Sequence, residues 1–259
     1  MSELTHPRPR LRPRLRLRRT ALATAFCAAL ALGAAACGPF GDDPKAAGPF
    51  GELTGPQIAD KAITATKAAD SLTLDLAVRT TDGPMKARLA VDIRKKCAGT
   101  LTVGTTGTAE VVKPDDTFAY LRFDEAFLRE QAKGESAEMQ EAVLKELRGR
   151  WVKTAVSDPE AKESLELCDL KALLADFEQG TALSVKSGET TVGGRKALML
   201  TQAFDKEKTT LYVATEGEPH LLKIVTAGGE EPGTIAFTDY GKPVTATPPP
   251  AKDILDEKQ

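Results

Sequence analysis

Leu72, Leu74, Leu76 and Val78 alternate with Thr73, Asp75, Ala77 and Arg79, the cleanest two-residue period in the chain. Successive strand side chains point to opposite faces, so this spacing predicts a strand with one apolar side. Asp82-Gly83 supplies a hairpin turn, and residues 86–93 answer it with Leu89, Val91 and Ile93 on one face. Short strands follow over 99–104 and 108–112. After the turn at Pro114-Asp115-Asp116, another is predicted over 117–122. Five strands in such rapid succession read as a meander.

A helix precedes them. Thr54 can cap it, Pro56 sits near its first turn, and Ile58, Ala62, Ile63, Ala65 and Ala69 recur at helical spacing. Its alanine-rich face lets it lie close against a sheet. The middle of the chain is helical in pattern over 124–131 and 135–148, the second with Val143, Leu144 and Leu147 buried and Gly149 as its cap. A short strand is predicted at 150–153, opened by Trp151, which is expected to anchor the insert on the sheet. Asp158-Pro159 starts a turn or helix. A helix over 168–177 carries Leu170, Leu173, Leu174 and Phe177 and ends at Gly180. The last third reads as strands over 182–187, 189–192, 196–201, 209–214, 220–226 and 233–238. An extended proline-rich run follows at 243–250.

Helix, meander, helices, meander is the order of an α+β fold: one large curved antiparallel sheet, a half-barrel of about ten strands, with helices covering its concave face. Leucine-rich strands beneath alanine-rich helices leave room for an apolar cavity, and an ordinary dry core is the equal alternative. The inward-facing candidates are Leu72, Leu74, Leu76, Leu89, Val91, Leu101, Val103, Leu198, Leu200, Leu211, Val213, Ile224 and Phe237. Tyr120, mid-strand, is expected in the core or the cavity lining.

The first 36 residues change the picture. Seven arginines and one acid, Glu3, lead into the apolar run Ala21–Ala36, which ends in Ala34-Ala35-Ala36-Cys37. This is the layout of a secretory signal. The run is too short and alanine-rich to span comfortably, since a spanning helix wants about 20 strongly apolar residues. Its end resembles a bacterial lipoprotein box, with Ala34 where Leu is usual. In such proteins the Cys thiol is diacylated and the signal is cut just before it. A cleaved soluble protein is the alternative. Arg18-Arg19 leaves twin-arginine and ordinary export both open. Residues 37–53, rich in Gly, Pro, Asp and Ala, read as a flexible tether.

The whole chain has 35 Lys+Arg and 37 Asp+Glu. Without the leader's seven basic residues and one acidic residue, the rest carries a net charge of −8. Such a protein is a poor nucleic-acid binder. It is repelled by anionic lipid, so membrane attachment rests on acyl chains. Beyond Cys27 in the leader and Cys37, only Cys97 and Cys168 remain, and an even pair outside the cytoplasm suggests a disulfide.

Catalytic chemistry is sparse. His6 falls in the leader, leaving His220 at a hairpin start, where an exposed strand residue is expected. Ser-His-Asp or Cys-His catalysis is then hard to build, and no GxSxG, P-loop or HExxH pattern occurs. The carboxylate pairs Asp42-Asp43, Asp115-Asp116 and Glu230-Glu231 sit in turns or the tether. No enzyme, metal or cofactor is expected.

Several stretches together resemble the actinobacterial LppX/LprG-type lipoproteins, which share a fold with the LolA/LolB lipoprotein carriers. They are Cys37 after its arginine-rich leader, Tyr120-Leu121-Arg122, Gly149-Arg150-Trp151-Val152, and Thr190-Thr191-Val192-Gly193-Gly194-Arg195-Lys196-Ala197. Gly217-Glu218-Pro219-His220-Leu221-Leu222 and Phe237-Thr238-Asp239-Tyr240-Gly241-Lys242-Pro243-Val244 complete them. The resemblance implies a half-barrel and helices enclosing a pocket for acyl chains of lipid or glycolipid, which the protein carries or presents. The pocket is defined by shape, so no binding residue transfers by identity, and the Cys97/Cys168 pair is a departure. The expected organisation is a signal at 1–36, a lipid-anchored tether at 37–53, a LolA-like domain at 54–247 and a proline-rich tail at 248–259. The expected place is the extracytoplasmic face of the cell membrane. The competing reading is an envelope scaffold with a filled core.

Overall fold

The computed structural model describes residues 50–255 apart from positions 82, 105, 106 and 179. The leader, Cys37 and most of the tether lie outside the described residues. The chain opens with α1 (Gly55–Lys67), where Thr54 caps through a reciprocal pairing with Gln57. Six strands and two helices follow: β1 (Ser71–Thr80), β2 (Gly83–Asp92), β3 (Cys97–Val103), β4 (Gly107–Lys113), β5 (Phe118–Phe123), α2 (Glu125–Gln131), α3 (Ala137–Leu147) and β6 (Trp151–Ala155). Then come α4 (Pro159–Ser164), α5 (Leu170–Glu178) and β7 (Val185–Val192). β8 (Arg195–Phe204), β9 (Glu207–Ala214), β10 (Leu221–Ala227) and β11 (Gly233–Thr238) complete the sheet.

All eleven strands form one open, curved antiparallel sheet in the order β6-β5-β4-β3-β2-β1-β11-β10-β9-β8-β7. The two meanders meet where the first strand pairs with the last, with Leu74 opposite Phe237 and Leu76 opposite Ile235. The expected α+β architecture is present, with one strand more than the expected ten or so. Residues 182–187 and 189–192 are not two strands. They are a 3-10 turn at Thr181–Leu183 followed by the single strand β7, whose register shifts near Gly188. A bulge inserts one residue without ending the strand, and its glycine looks like a turn in sequence.

The helices lie on one face. Ile58, Ala59, Ala62 and Ile63 of α1 are fully buried against β1 and the second meander, in a cluster with Ala161, Leu165 and Leu174. Phe127, Leu128 and Leu144 from α2 and α3 cover β4 and β5 through Ala109 and Phe123. α1 begins hard against the chain before β7, since a Cβ on Gly55 would stand 2.1 Å from Ser184 O. Gly107 plays the same part for α2, because its Cβ would meet the Phe127 backbone at 2.7 Å. Only glycine permits approaches this close.

Cys97 and Cys168 form the expected disulfide, with Cα atoms 5.6 Å apart and a separation of 71 positions in sequence. It pins the segment between α4 and α5 to the start of β3. Ile93, expected on the apolar face, is 57% exposed, because β2 ends at Asp92 and the chain turns away there.

The proline-rich segment is docked. Gly241 N–H donates to Ser71 O and Ser71 Oγ to Lys242 O at the start of β1. At the far edge, Ile254 bridges β6 in parallel at Trp151. There Leu255 N–H donates to Trp151 O and Arg150 Nη2 to Ile254 O. Val244 and Ala246 are buried while Thr245 and Thr247 face out. Twelve residues extend about 40 Å at most, enough to cross the five strand spacings of about 4.8 Å between those ends.

Candidate functional site

Two registers build the apolar wall. One runs Ala109, Leu101, Ala87, Leu76, Ile235, Ile224, Leu211, Leu200 across eight strands. The next runs Leu121, Val111, Gly99, Leu89, Leu74, Phe237. Because alternate residues share a face, all thirteen inward candidates fall on the helix-covered side. Twelve of them are buried in a single cluster, and Val103 packs against it half-buried. Opposite this wall the helices present Ile58, Ile63 and Leu174 together with the smaller Ala59, Ala62 and Ala161.

The helix layer is less complete along α5. Leu174 is fully buried, but Leu170, Leu173 and Phe177 are only half-buried. At one end of the wall Val78, Met85 and Val103, aligned across β1, β2 and β3, are also half-buried. Two pockets among the described residues lie outside the space between wall and helices. One, of about 410 Å³, is a trough on the opposite face of the sheet between Asp75, Lys86, Arg88, Thr100 and Thr234. The other, of about 230 Å³, lies between Phe50, Leu53, Lys61 and Pro219.

Tyr120 is buried on the outer face, since its neighbour Leu121 faces the helices. Trp151 opens β6 as expected, but its ring also turns outward, beneath the Arg122 guanidinium at 4.7 Å. It therefore packs with the C-terminal segment and not with the helical insert.

His220 is not an exposed strand residue. It precedes β10, half-buried, and stacks on Tyr240 at 4.1 Å. Burial, and secondarily Arg195, holds its imidazole below the ordinary value. Burial pushes the Tyr240 phenol up, so it stays a donor, and it bonds Leu221 O. The described carboxylate pairs do structural work. Asp115 accepts from the N–H groups of Thr117 and Phe118, and Asp116 is held below the usual range by Lys113 and then Lys95. Burial, and then Glu230, pushes the Glu231 carboxyl up. Among the described residues no group of three or more His, Cys, Asp or Glu could hold a metal. No described helix is long and apolar enough to cross a membrane.

Sequence reasoning missed two features: the side-chain clamp on Leu221 and an exposed apolar corner at Leu183, Val185 and Phe204. The second had a signal, since a Phe directly before Asp205-Lys206-Glu207-Lys208 is out of place in a polar hairpin turn.

No protein-family model matches the chain. No curated protein matches it either. Among solved structures it is similar to LprF from Mycobacterium bovis, at 13% identity and a TM-score of 0.48, over 75% of this chain and 96% of that one. It is also similar to the Mycobacterium tuberculosis lipoprotein LppX, at 13% identity and a TM-score of 0.47, over 74% of this chain and 97% of that one. A third likeness is to MucB in complex with MucA, at 13% identity and a TM-score of 0.35, over 78% of this chain and 61% of that one. LppX is a namesake of the family that the sequence resembles.

Proposed function

We propose that this is a non-enzymatic cell-envelope lipoprotein. In this reading residues 1–36 export it and an acylated Cys37 anchors it to the outer leaflet. Its helix-covered wall shelters the acyl chains of a lipid or glycolipid for carriage or presentation. One observation carries the reading: thirteen apolar side chains form a continuous wall beneath the helices, and α5 leaves Leu170, Leu173 and Phe177 half-open at its margin. Each methylene moved from water into such a site contributes about 0.8 kcal/mol, so a long chain offsets a substantial loss of helix–sheet contact.

The specific observation favouring a filled-core scaffold is that Ile58, Ile63 and Leu174 of the helices are fully buried in one cluster with the wall. Lipid binding therefore requires the α5 side of the layer to yield as the chain enters. A phospholipid carrying a diazirine in its acyl chain, photolysed with the protein and mapped by peptide mass spectrometry, separates the two. Labelling at Leu173, Phe177 or Met85 and on the wall supports carriage. Labelling confined to the outer trough at Lys86 and Arg88, or none, favours the scaffold.

A further inference from the structure

Five large apolar side chains are exposed among the described residues: Ile93, Phe118, Leu183, Val185 and Phe204. Three of them share one corner. Gln202 Nε2 donates to Ser184 Oγ at 2.9 Å in a buried bond, so Leu183 and Val185 flank one end of it and Phe204 follows the other by two residues. Val185, paired with Thr201, points to the face opposite Phe204, so the corner is apolar on both faces. Phe204 is 77% exposed at the tip of the β8–β9 hairpin, and Leu183 and Val185 are more than half exposed. The other two stand apart. Phe118 is covered by the Lys153 ammonium at 3.7 Å, and Ile93 sits at the opposite end of the sheet beside Arg94, Lys95 and Lys96.

We propose that this corner is where the protein rests on a lipid bilayer, with Phe204 in the interface. The proposal rests on the acylated-anchor reading. Cys37 lies thirteen residues before Phe50, and a chain of that length spans about 45 Å at most. That bounds how far the domain stands from its bilayer. The chain joins the domain along the same edge of the sheet as the corner. There Lys186 Nζ donates to Gly51 O at 3.3 Å, and Gly55 abuts Ser184.

The corner is also continuous with the wall. Leu198, Leu200, Gln202 and Phe204 alternate along the helix-covered face of β8, passing from buried to exposed. An acyl chain leaving a bilayer at Phe204 passes the buried Gln202 before it reaches Leu200 along the same face. Lys206 and Lys208 alternate with Asp205 and Glu207, so the tip carries no net charge. Its contact with the bilayer is therefore apolar and does not require anionic lipid.

The test uses the full acylated chain in phosphatidylcholine vesicles whose acyl chains are brominated, which quench tryptophan on contact. Phe204→Trp and Ile93→Trp are compared, with the buried Trp151 kept as a common background. Interfacial side chains sit about 5–10 Å into the headgroup–acyl boundary, so the emission added at 204 is expected to fall by roughly half while that at 93 is unchanged. Quenching at 93 alone, or at neither site, overturns the proposal. Failure of the unsubstituted chain to float with vesicles overturns the anchor reading and this proposal with it. Flotation without quenching at 204 overturns this proposal alone.

Discussion

The hydroxyl of Thr66, in the last turn of α1, accepts a hydrogen bond from the backbone N–H of Leu221 at 2.9 Å. Leu221 opens β10 where the register to β9 slips between Leu221 and Lys223, so the regular ladder is interrupted there. The Tyr240 hydroxyl donates to the carbonyl of the same residue. Two side chains thus complete the hydrogen bonding of an irregular, buried strand start, and they tie α1, β10 and the end of β11 together.

Thr66→Val keeps the shape and removes the acceptor. A buried donor left unpaired costs about 1–3 kcal/mol, so urea denaturation of this variant should show a loss in that range. A loss under about 0.5 kcal/mol would mean that water or another group serves Leu221 equally well.

The disulfide closes a loop between residues 71 apart in sequence. In the chain-entropy model that is worth roughly 4 kcal/mol, so the Cys97→Ala/Cys168→Ala pair should lower unfolding free energy by several kcal/mol. Denaturation curves that superimpose with and without reductant would contradict this.

His220 is the only histidine among the described residues. Burial holds it below its ordinary 6.5, so as pH falls from 6.5 the unfolded chain takes up a proton before the folded chain does. Unfolding then binds a proton, and stability is lost as pH falls through the folded value and is flat above 6.5. Melting temperatures at pH 7.5 and 5.5 should diverge more in the natural protein than in His220→Phe, which keeps the ring stack. Equal divergence would assign the effect to groups other than His220.

Truncation after residue 249 removes Ile254 and Leu255 from Trp151, the only tryptophan. Its emission should shift to the red as solvent reaches the ring and the edge of β6. An unshifted spectrum would show that Arg122 and the sheet suffice to cover it.

Most of the sheet was legible because period-two alternation is a strong local signal, and the wall residues followed from it. Thirteen positions chosen by parity alone share one face. What escaped depended on distant partners. Nothing near Ile93 says that β2 stops one residue earlier, and nothing near Gly188 distinguishes a bulge from a turn. Trp151 faces the C-terminal segment because its register partner is Arg122, a fact about strand pairing that no local pattern carries. Whether the space beneath the helices opens depends on how α5 seats against the wall, and the periodicity of α5 alone fixes only which of its residues are apolar.

Acyl-chain carriage is tested most directly by what the protein holds when it leaves its own host. The chain bearing Cys37→Ala, which cannot be acylated there, can be purified without detergent and its organic extract examined by mass spectrometry. The account predicts lipid or glycolipid recovered at about one molecule per protein, matching a mass added in native spectra. Protein that emerges free of lipid, at the mass of its polypeptide alone, would contradict it.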